Sequence, residues 1–364
     1  MTTSPVTTYL DHDYGITPGD FLRAELAARG ISQADLAVRA SLSAKHLNQV
    51  ITDTVPLSTD TAMRLERVLG ISADLLARLD AAHQAQLGRT KSTAKLADYK
   101  EWFAQFNVAD LVKHGVVTAK TTVESQIGEL LDFFAVAEPS GYDKLYVEPL
   151  LSFRRAQHIA IDANATSLWL RLAERKAEPL VVGDYSRARF ADLLDELPSL
   201  TLKPISQAWP ELQERCAEVG VAVVYTPAIA KTGASAAVRW LGPEKPVIAL
   251  TGRGGYEDSI WFSFFHEAGH IVLHPRRKSV VEFGAPDDAD GAETQANDFA
   301  KKTVLRGKAR TLAKLSTASE ITELAASIGI HPGIAAGIWA FDKGSAGWSK
   351  AARIRRKLDD SALK

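Results

Sequence analysis

The stretch Ile260-Trp261-Phe262-Ser263-Phe264-Phe265-His266-Glu267-Ala268-Gly269-His270-Ile271-Val272-Leu273 constrains this chain more than any other. It is apolar at nearly every helical position, so a helix there has no wet face and must be buried. It nevertheless carries two imidazoles and a carboxylate, which burial penalises unless each finds a partner or is neutralised. A bound cation satisfies all three. In an HExxH spacing, residues i and i+4 lie about 40° apart around the helix and about 6 Å apart along it. His266 and His270 can then meet one tetrahedral ion at about 2.0–2.1 Å. Glu267 sits beside such an ion rather than on it, where it can take a proton from a water.

Two histidines leave a hydrolytic zinc one ligand short. Glu282, Asp287, Asp288, Asp290, Glu293 and Asp298 follow downstream. Only Glu293 fits a helix, because Ala296, Phe299, Ala300 and Val304 form an apolar stripe and Glu293 lies three residues before Ala296. Asn297, one turn beyond, could orient a ligand histidine or be an exposed helix residue. Three weaker candidates could stabilise charge at the site or serve only structure. They are His274 before Pro275, Tyr256 after Gly254-Gly255, and His331 beside Pro332. Upstream, Val221–Tyr225, Ser235–Trp240 and Val247–Thr251 read as short strands, the last two joined by the turn Gly242-Pro243-Glu244-Lys245-Pro246. Ala234–Arg239 is either an edge that holds an extended substrate by strand addition or an ordinary interior strand. Arg239-Trp240 is likewise a packing pair or a substrate clamp.

The N-terminal part has a different texture. Residues 16–88 read as short helices punctuated by Ser and Gly. Gly30 stops the first helix, Ser32 and Ser43 cap the next two across the turn Ala40-Ser41-Leu42, and Gly70 stops the fourth. Two short helices across a tight turn in a small bundle make a helix-turn-helix, whose second helix suits the major groove. Residues 1–90 hold eight Lys and Arg against ten Asp and Glu, a net of −2. That is poor for a domain whose affinity for DNA comes largely from neutralising phosphates, so a protein-interaction module is the competing role.

The whole chain has a formal net charge of −1 and 46% apolar residues, which excludes a globally basic nucleic-acid binder and a disordered chain. A single cysteine, Cys216, excludes a disulfide framework and Cys-rich metal sites. It reads as a core residue. No apolar run is long enough to span a membrane and no signal peptide is evident, so the expected address is the cytoplasm. The expected fold is multidomain and mainly α. A flexible start (1–15) precedes an all-α helix-turn-helix bundle (16–88), and a helical spacer or sensor follows (89–205), with Trp102, Phe103, Phe106, Phe133 and Phe134 as core aromatics. A small α+β zincin-like domain (206–342) is followed by a basic tail (343–364). Arg353, Arg355, Arg356 and Lys357 in that tail make a solvated helix face or supply phosphate contacts.

Gly30-Ile31-Ser32-Gln33-Ala34-Asp35-Leu36-Ala37 and Leu42-Ser43-Ala44-Lys45-His46-Leu47 resemble the lambda-repressor/Cro (XRE) family. Pro56-Leu57-Ser58, Ala62, Arg64-Leu65-Glu66 and Leu69-Gly70-Ile71-Ser72 resemble HigA-type antitoxins more narrowly. The resemblance implies that Gln33 touches a phosphate and that Ser43, Ala44, Lys45, Asn48 and Gln49 face base edges. Asn and Gln suit adenine there and Lys suits guanine. Ser41 and Asp53 stand where that family usually has glycine. Phe262 to His274, with Glu293, Ala296-Asn297, Phe299-Ala300 and His331-Pro332-Gly333-Ile334, resembles the ImmA/IrrE metallopeptidases. Val304-Leu305-Arg306-Gly307 departs from that family's Leu-x-Pro ending. The combined resemblance implies a cytoplasmic zinc endopeptidase with one zinc per chain. Its protein substrate would be a helix-turn-helix repressor or antitoxin. Its own DNA-binding domain would act as a homodimer on a pseudo-palindromic operator. The alternative is a HigA-like antitoxin and autorepressor with a toxin partner and a non-catalytic peptidase-like domain.

Overall fold

The computed structural model describes residues 16–150, 162–274, 279–282 and 291–363, with the side chains of 279–282 and 346 outside the description. The expected flexible start, 1–15, lies outside the described residues. The chain divides into two compact units, one up to Lys100 and the other from Glu101.

The first unit is built from α1 (Pro18–Arg29), α2 (Gln33–Arg39), α3 (Ala44–Ile51), α4 (Thr59–Leu69) and α5 (Ala73–Leu96). Each of the first four starts where a hydroxyl accepts a backbone N–H three residues on. Thr17 takes that of Asp20, Ser32 that of Asp35, Ser43 that of His46 and Ser58 that of Thr61. Such caps contribute about 1 kcal/mol each. Gly30 and Gly70 end α1 and α4 in the left-handed conformation. Leu22, Leu36, Leu47, Leu65 and Leu76 fill the centre, all buried.

Ser41 and Asp53 both adopt positive φ, +54° and +53°, the conformation that glycine adopts most readily. Asp53 recovers part of the cost. Its carboxylate accepts the Gly19 N–H at 2.9 Å and the Thr17 hydroxyl, tying the end of α3 to the start of α1. A Cβ on Gly19 would stand 2.1 Å from the Ile51 carbonyl oxygen, so that approach needs glycine. Ser41→Gly should therefore stabilise α2 and α3 by about 1 kcal/mol, while Asp53→Gly should destabilise them through the lost carboxylate bonds. Hydrogen exchange of α2 and α3 amides in the full chain checks both signs.

The second unit centres on a sheet of order β1-β3-β2-β4, with β1 Ala222–Tyr225, β2 Ala236–Trp240, β3 Pro246–Leu250 and β4 Ser279–Glu282. β1 runs parallel to β3, and β2 runs antiparallel to both β3 and β4. The first three strands are apolar almost continuously because both faces are covered. Val223, Tyr225, Ala236, Val238, Ile248 and Leu250 share one core with Ile260, Phe264 and Phe265 of the HExxH helix. Alternation turns Ala222, Val224, Ala237 and Ala249 to the other face, against α8. That helix (Ala163–Ala177) follows α6 (Val108–Lys113) and α7 (Val123–Phe134) in the numbering used here.

Three expectations about organisation need correction. The boundary at 88 falls inside α5, which runs on to Leu96. Residues 101–205 are no separate spacer, because α8 closes the second face of the sheet. Trp169 Nε1 donates to the Thr226 carbonyl at 3.0 Å, and buried Glu174 accepts from Arg239 of β2 at 2.6 Å, Arg171 at 3.2 Å and the Tyr146 hydroxyl at 3.0 Å. Trp102, Phe106, Phe134, Tyr142 and Tyr146 pack edge-on or stacked beside that network. Arg239 is thus a packing residue. In the basic tail Arg355 and Arg356 are packed into this unit, whereas Arg353 and Lys357 are exposed. Arg355 grips Asp258 through Nε, 3.0 Å from both carboxylate oxygens, and Arg356 pairs with Glu257 at 3.0 Å. Lys357 bridges to Tyr256 as a short antiparallel contact.

Candidate metal centre and helix-turn-helix face

The HExxH helix is α11 (Glu257–Leu273), preceded by α9 (Arg187–Glu196) and α10 (Ile205–Glu218). Most of its residues are buried, with His266 at 1% exposure, Glu267 at 0% and His270 at 2%. Facing it is α12 (Ala292–Val304). The two helices meet at Gly269 and Ala296. A Cβ at 269 would lie 3.3 Å from the Ala296 Cα and 3.1 Å from the Phe299 ring. That contact lets Glu293, one turn earlier on α12, reach the histidines.

His266 Nε2 stands 3.1 Å from His270 Nε2 and 3.2 Å from Glu293 Oε2, and His270 Nε2 stands 3.3 Å from Glu293 Oε1. Ligands on a tetrahedral zinc at about 2.0–2.1 Å are about 3.3–3.4 Å apart, so the three donors already have the spacing of a coordination face. The tautomer agrees. His266 Nδ1 donates to Asn297 Oδ1 at 3.1 Å, which leaves the Nε2 lone pair aimed at the centre. Two imidazole nitrogens facing each other at 3.1 Å repel unless a proton or a cation lies between them. His270 Nδ1 is buried with no hydrogen-bond partner among the described residues. Burial alone would raise the Glu293 carboxyl, but hydrogen bonds and charge from His266 and His270 hold it down at about 2. The donor set therefore fits zinc. Glu267 lies on the same helix and is not one of the three convergent donors.

Of the other expected residues, Asn297 is brought to the site and His274 lies just past the end of α11, its ring 5.8 Å from that of His270. Tyr256 and His331 are not brought there. Tyr256 precedes the first turn of α11, about 15 Å along the helix from His266, and its ring is covered by the Arg355 guanidinium at 3.9 Å. His331 caps a later helix, accepting the Gly333 N–H at 3.0 Å, and burial, with the charge of Arg356 that holds the same distant end of α11, pushes its imidazole pKa down. Asp298 is exposed, while Asp287, Asp288 and Asp290, and the side chain of Glu282, lie outside the described residues.

β2 is not an edge. It lies between β3 and β4, since the short run Ser279-Val280-Val281-Glu282 pairs with it. The outer side of β1 is taken too, with Gln213 donating to the Val223 carbonyl and Lys176 to that of Tyr225, both at 2.9 Å.

In the first unit, Gln33, Ser43, Ala44, Lys45 and Asn48 are exposed and Gln49 is half-buried, while Leu47, Val50 and Ile51 hold the inner side of α3. All six expected contact residues therefore lie on the α2–α3 pair. The acidic balance is largely local. Arg23, Arg29, Arg39, Arg64 and Arg78 each pair with a carboxylate three or four residues earlier on their own helix. Lys45 has no carboxylate partner among the described residues.

A helix-turn-helix family model matches residues 22–76. The first unit therefore carries a helix-turn-helix domain of the type that binds DNA in transcription regulators, and that part of the chain is of the XRE kind. No curated protein matches the chain. Among the described residues no helix is long and apolar enough to cross a membrane.

Proposed function

We propose that the unit from Glu101 is a zinc-dependent endopeptidase of the ImmA/IrrE kind, joined to a DNA-binding helix-turn-helix and acting in gene regulation. The observation that carries this reading is the convergence of His266, His270 and Glu293 at tetrahedral spacing in a buried site, with Glu267 buried beside His266 and outside the donor set. Zinc held there would lower the pKa of a water toward about 7 and polarise a carbonyl. Glu267 takes the proton from the attacking water and delivers it to the leaving amine. Asn297 fixes the His266 ring. Because the outer carbonyls of β1 are already bonded, β4 is, among the described strands, the sheet edge for an extended substrate. The substrate is a helix-turn-helix repressor or antitoxin. Wild-type protein with zinc should cut the repressor encoded beside its own gene, lose that activity on chelation and regain it on zinc addition. A repressor left intact under all three conditions, together with an intact peptide library, contradicts the reading.

On the DNA side, a homodimer presents two copies of α3 to a pseudo-palindrome with half-sites one helical turn apart. Asn48→Ala and Gln49→Ala should each weaken promoter binding in gel shifts at about 50 mM salt by roughly 1–3 kcal/mol per lost base contact. Equal binding of wild type to promoter and unrelated DNA would make the domain a protein-interaction module instead.

A further inference from the structure

The second unit contains a stretch that carries cations and no carboxylates. Lys301, Lys302, Arg306, Lys308, Arg310 and Lys314 follow one another with no Asp or Glu between Asp298 and Glu320. The chain as a whole is balanced, with 43 Lys and Arg against 44 Asp and Glu, so the cluster is a local feature. It covers the end of α12, a turn and α13 (Ala309–Leu312). Val304, Leu305 and Leu312 are buried and hold this backbone to the core, while Lys302, Arg306, Lys308, Arg310 and Lys314 are exposed. The turn closes on itself, the Gly307 N–H donating to the Lys302 carbonyl and the Lys308 N–H to that of Leu305, both at 2.8 Å.

Local pairing does not use up this charge. Lys301 pairs with Asp342 at 2.7 Å, and Arg306 donates to the Asp195 carbonyl at 3.3 Å. Glu320 is turned to the Ser316 and Thr317 N–H groups, at 2.9 and 3.0 Å. Lys343 brings a further cation to the same place, donating to the Ala313 carbonyl at 3.1 Å. Lys308, Arg310 and Lys314 have no carboxylate partner among the described residues. In the first unit five arginines have a carboxylate three or four residues earlier. Here Arg306, Arg310 and Lys314 succeed one another at four-residue steps. Like charges at that spacing repel, and a polyanion on this surface relieves the repulsion.

Two features select duplex DNA as that polyanion. The first unit is of a DNA-binding type, yet its arginines are paired internally and residues 1–90 have a net charge of −2, so it neutralises phosphates poorly. The exposed neutral residues among the cations are Gly307, Thr311 and Ala313, which give a lipid interface no large apolar side chain to take up.

We propose that the exposed cations between Lys302 and Lys314 contact the phosphates of duplex DNA, so that the second unit supplies sequence-independent affinity while α3 supplies the choice of sequence. The choice of DNA as partner rests on the DNA-binding reading of the first unit, and the endopeptidase reading does not enter.

The test titrates full-length wild type and the Lys308→Gln/Arg310→Gln/Lys314→Gln variant against a promoter duplex and an unrelated duplex across about 50–200 mM salt. Each phosphate contact contributes about 0.9 to the slope of log K against log salt. The triple variant should therefore lose about 2–3 of slope on both duplexes and keep the wild-type preference for the promoter. Lys308→Gln alone should lose about 0.9, a graded change that unfolding would not produce. Asn48→Ala should do the reverse, reducing the preference with little change in slope. A triple variant with the wild-type slope on both duplexes overturns the proposal. So does one that binds DNA as the wild type does but no longer binds phosphatidylserine vesicles, which would make the patch a lipid surface. Wild type without promoter preference removes base reading from α3, while a loss of slope in the triple variant would still support the patch.

Discussion

Glu267→Gln should abolish most cleavage of the partner repressor while leaving zinc content and folding as in the wild type. The side chain is fully buried, and glutamine keeps its size and much of its hydrogen bonding. What it cannot do is accept a proton from water. Loss of a positioned general base typically costs about 10²–10⁴ in rate, and binding should persist, so the variant should trap its substrate. The regulatory output should follow, with loss of induction of the controlled gene. If the gene responds as in the wild type while His266→Ala fails by unfolding, the metal is structural and the chain acts as an antitoxin-type repressor.

The second large effect is expected at the far end of the same helix. Arg355 lies between the rings of Tyr256 and Trp348, at 3.9 and 4.6 Å, and is paired with Asp258. Both partners are nearly buried, with side-chain exposures of 9% and 6%. Gly337 must be glycine for this to fit, since a Cβ there would stand 2.0 Å from Asp258 Oδ2. Arg355→Met keeps the stem between the rings but strands the carboxylate. Breaking a buried pair from one side typically costs about 3–5 kcal/mol. Burial already pushes the Asp258 carboxyl up even with Arg355 in place. Without the guanidinium it is pushed further, so the deficit should be largest at neutral pH and shrink as acid protonates it. Urea unfolding of the full chain at pH 7 and pH 5 reads both the size and the sign. A deficit that is small at pH 7, or that grows on acidification, removes the latch from the stability of this unit.

The convergence of His266, His270 and Glu293 was legible because its constraint is local. A buried helix with an i, i+4 histidine pair, and a second helix whose apolar stripe fixes the inward side of Glu293, can be read one turn at a time. The helix-turn-helix was legible for the same reason, since Ser32, Ser43, Ser58, Gly30 and Gly70 mark its helix ends in the sequence. Long-range partners were not legible. Arg355 and Asp258 are 97 residues apart, and nothing in a basic run near the end of a chain says that one arginine of it will be buried under a tryptophan. β4 escaped for a related reason: four residues following a run of cations have too short a period to register as a strand, yet they turn β2 from an edge into an interior strand. Tyr256 and His331 stayed open between two roles because glycine-rich or proline-flanked loops suit helix caps as well as active sites. Gly269 was the missed signal. A glycine inside a buried helix asks for a close neighbour, and Ala296 on α12 supplies it.

Zinc content per chain, measured on wild type and on the His266→Ala/His270→Ala double variant, tests the centre most directly. The wild type should hold about one zinc, since His266, His270 and Glu293 offer a tetrahedral face and the lone Cys216 is buried away from it. The double variant, confirmed folded by a cooperative urea transition of the unit from Glu101, should hold almost none. One zinc per chain retained in the double variant would place the metal elsewhere and contradict the assignment.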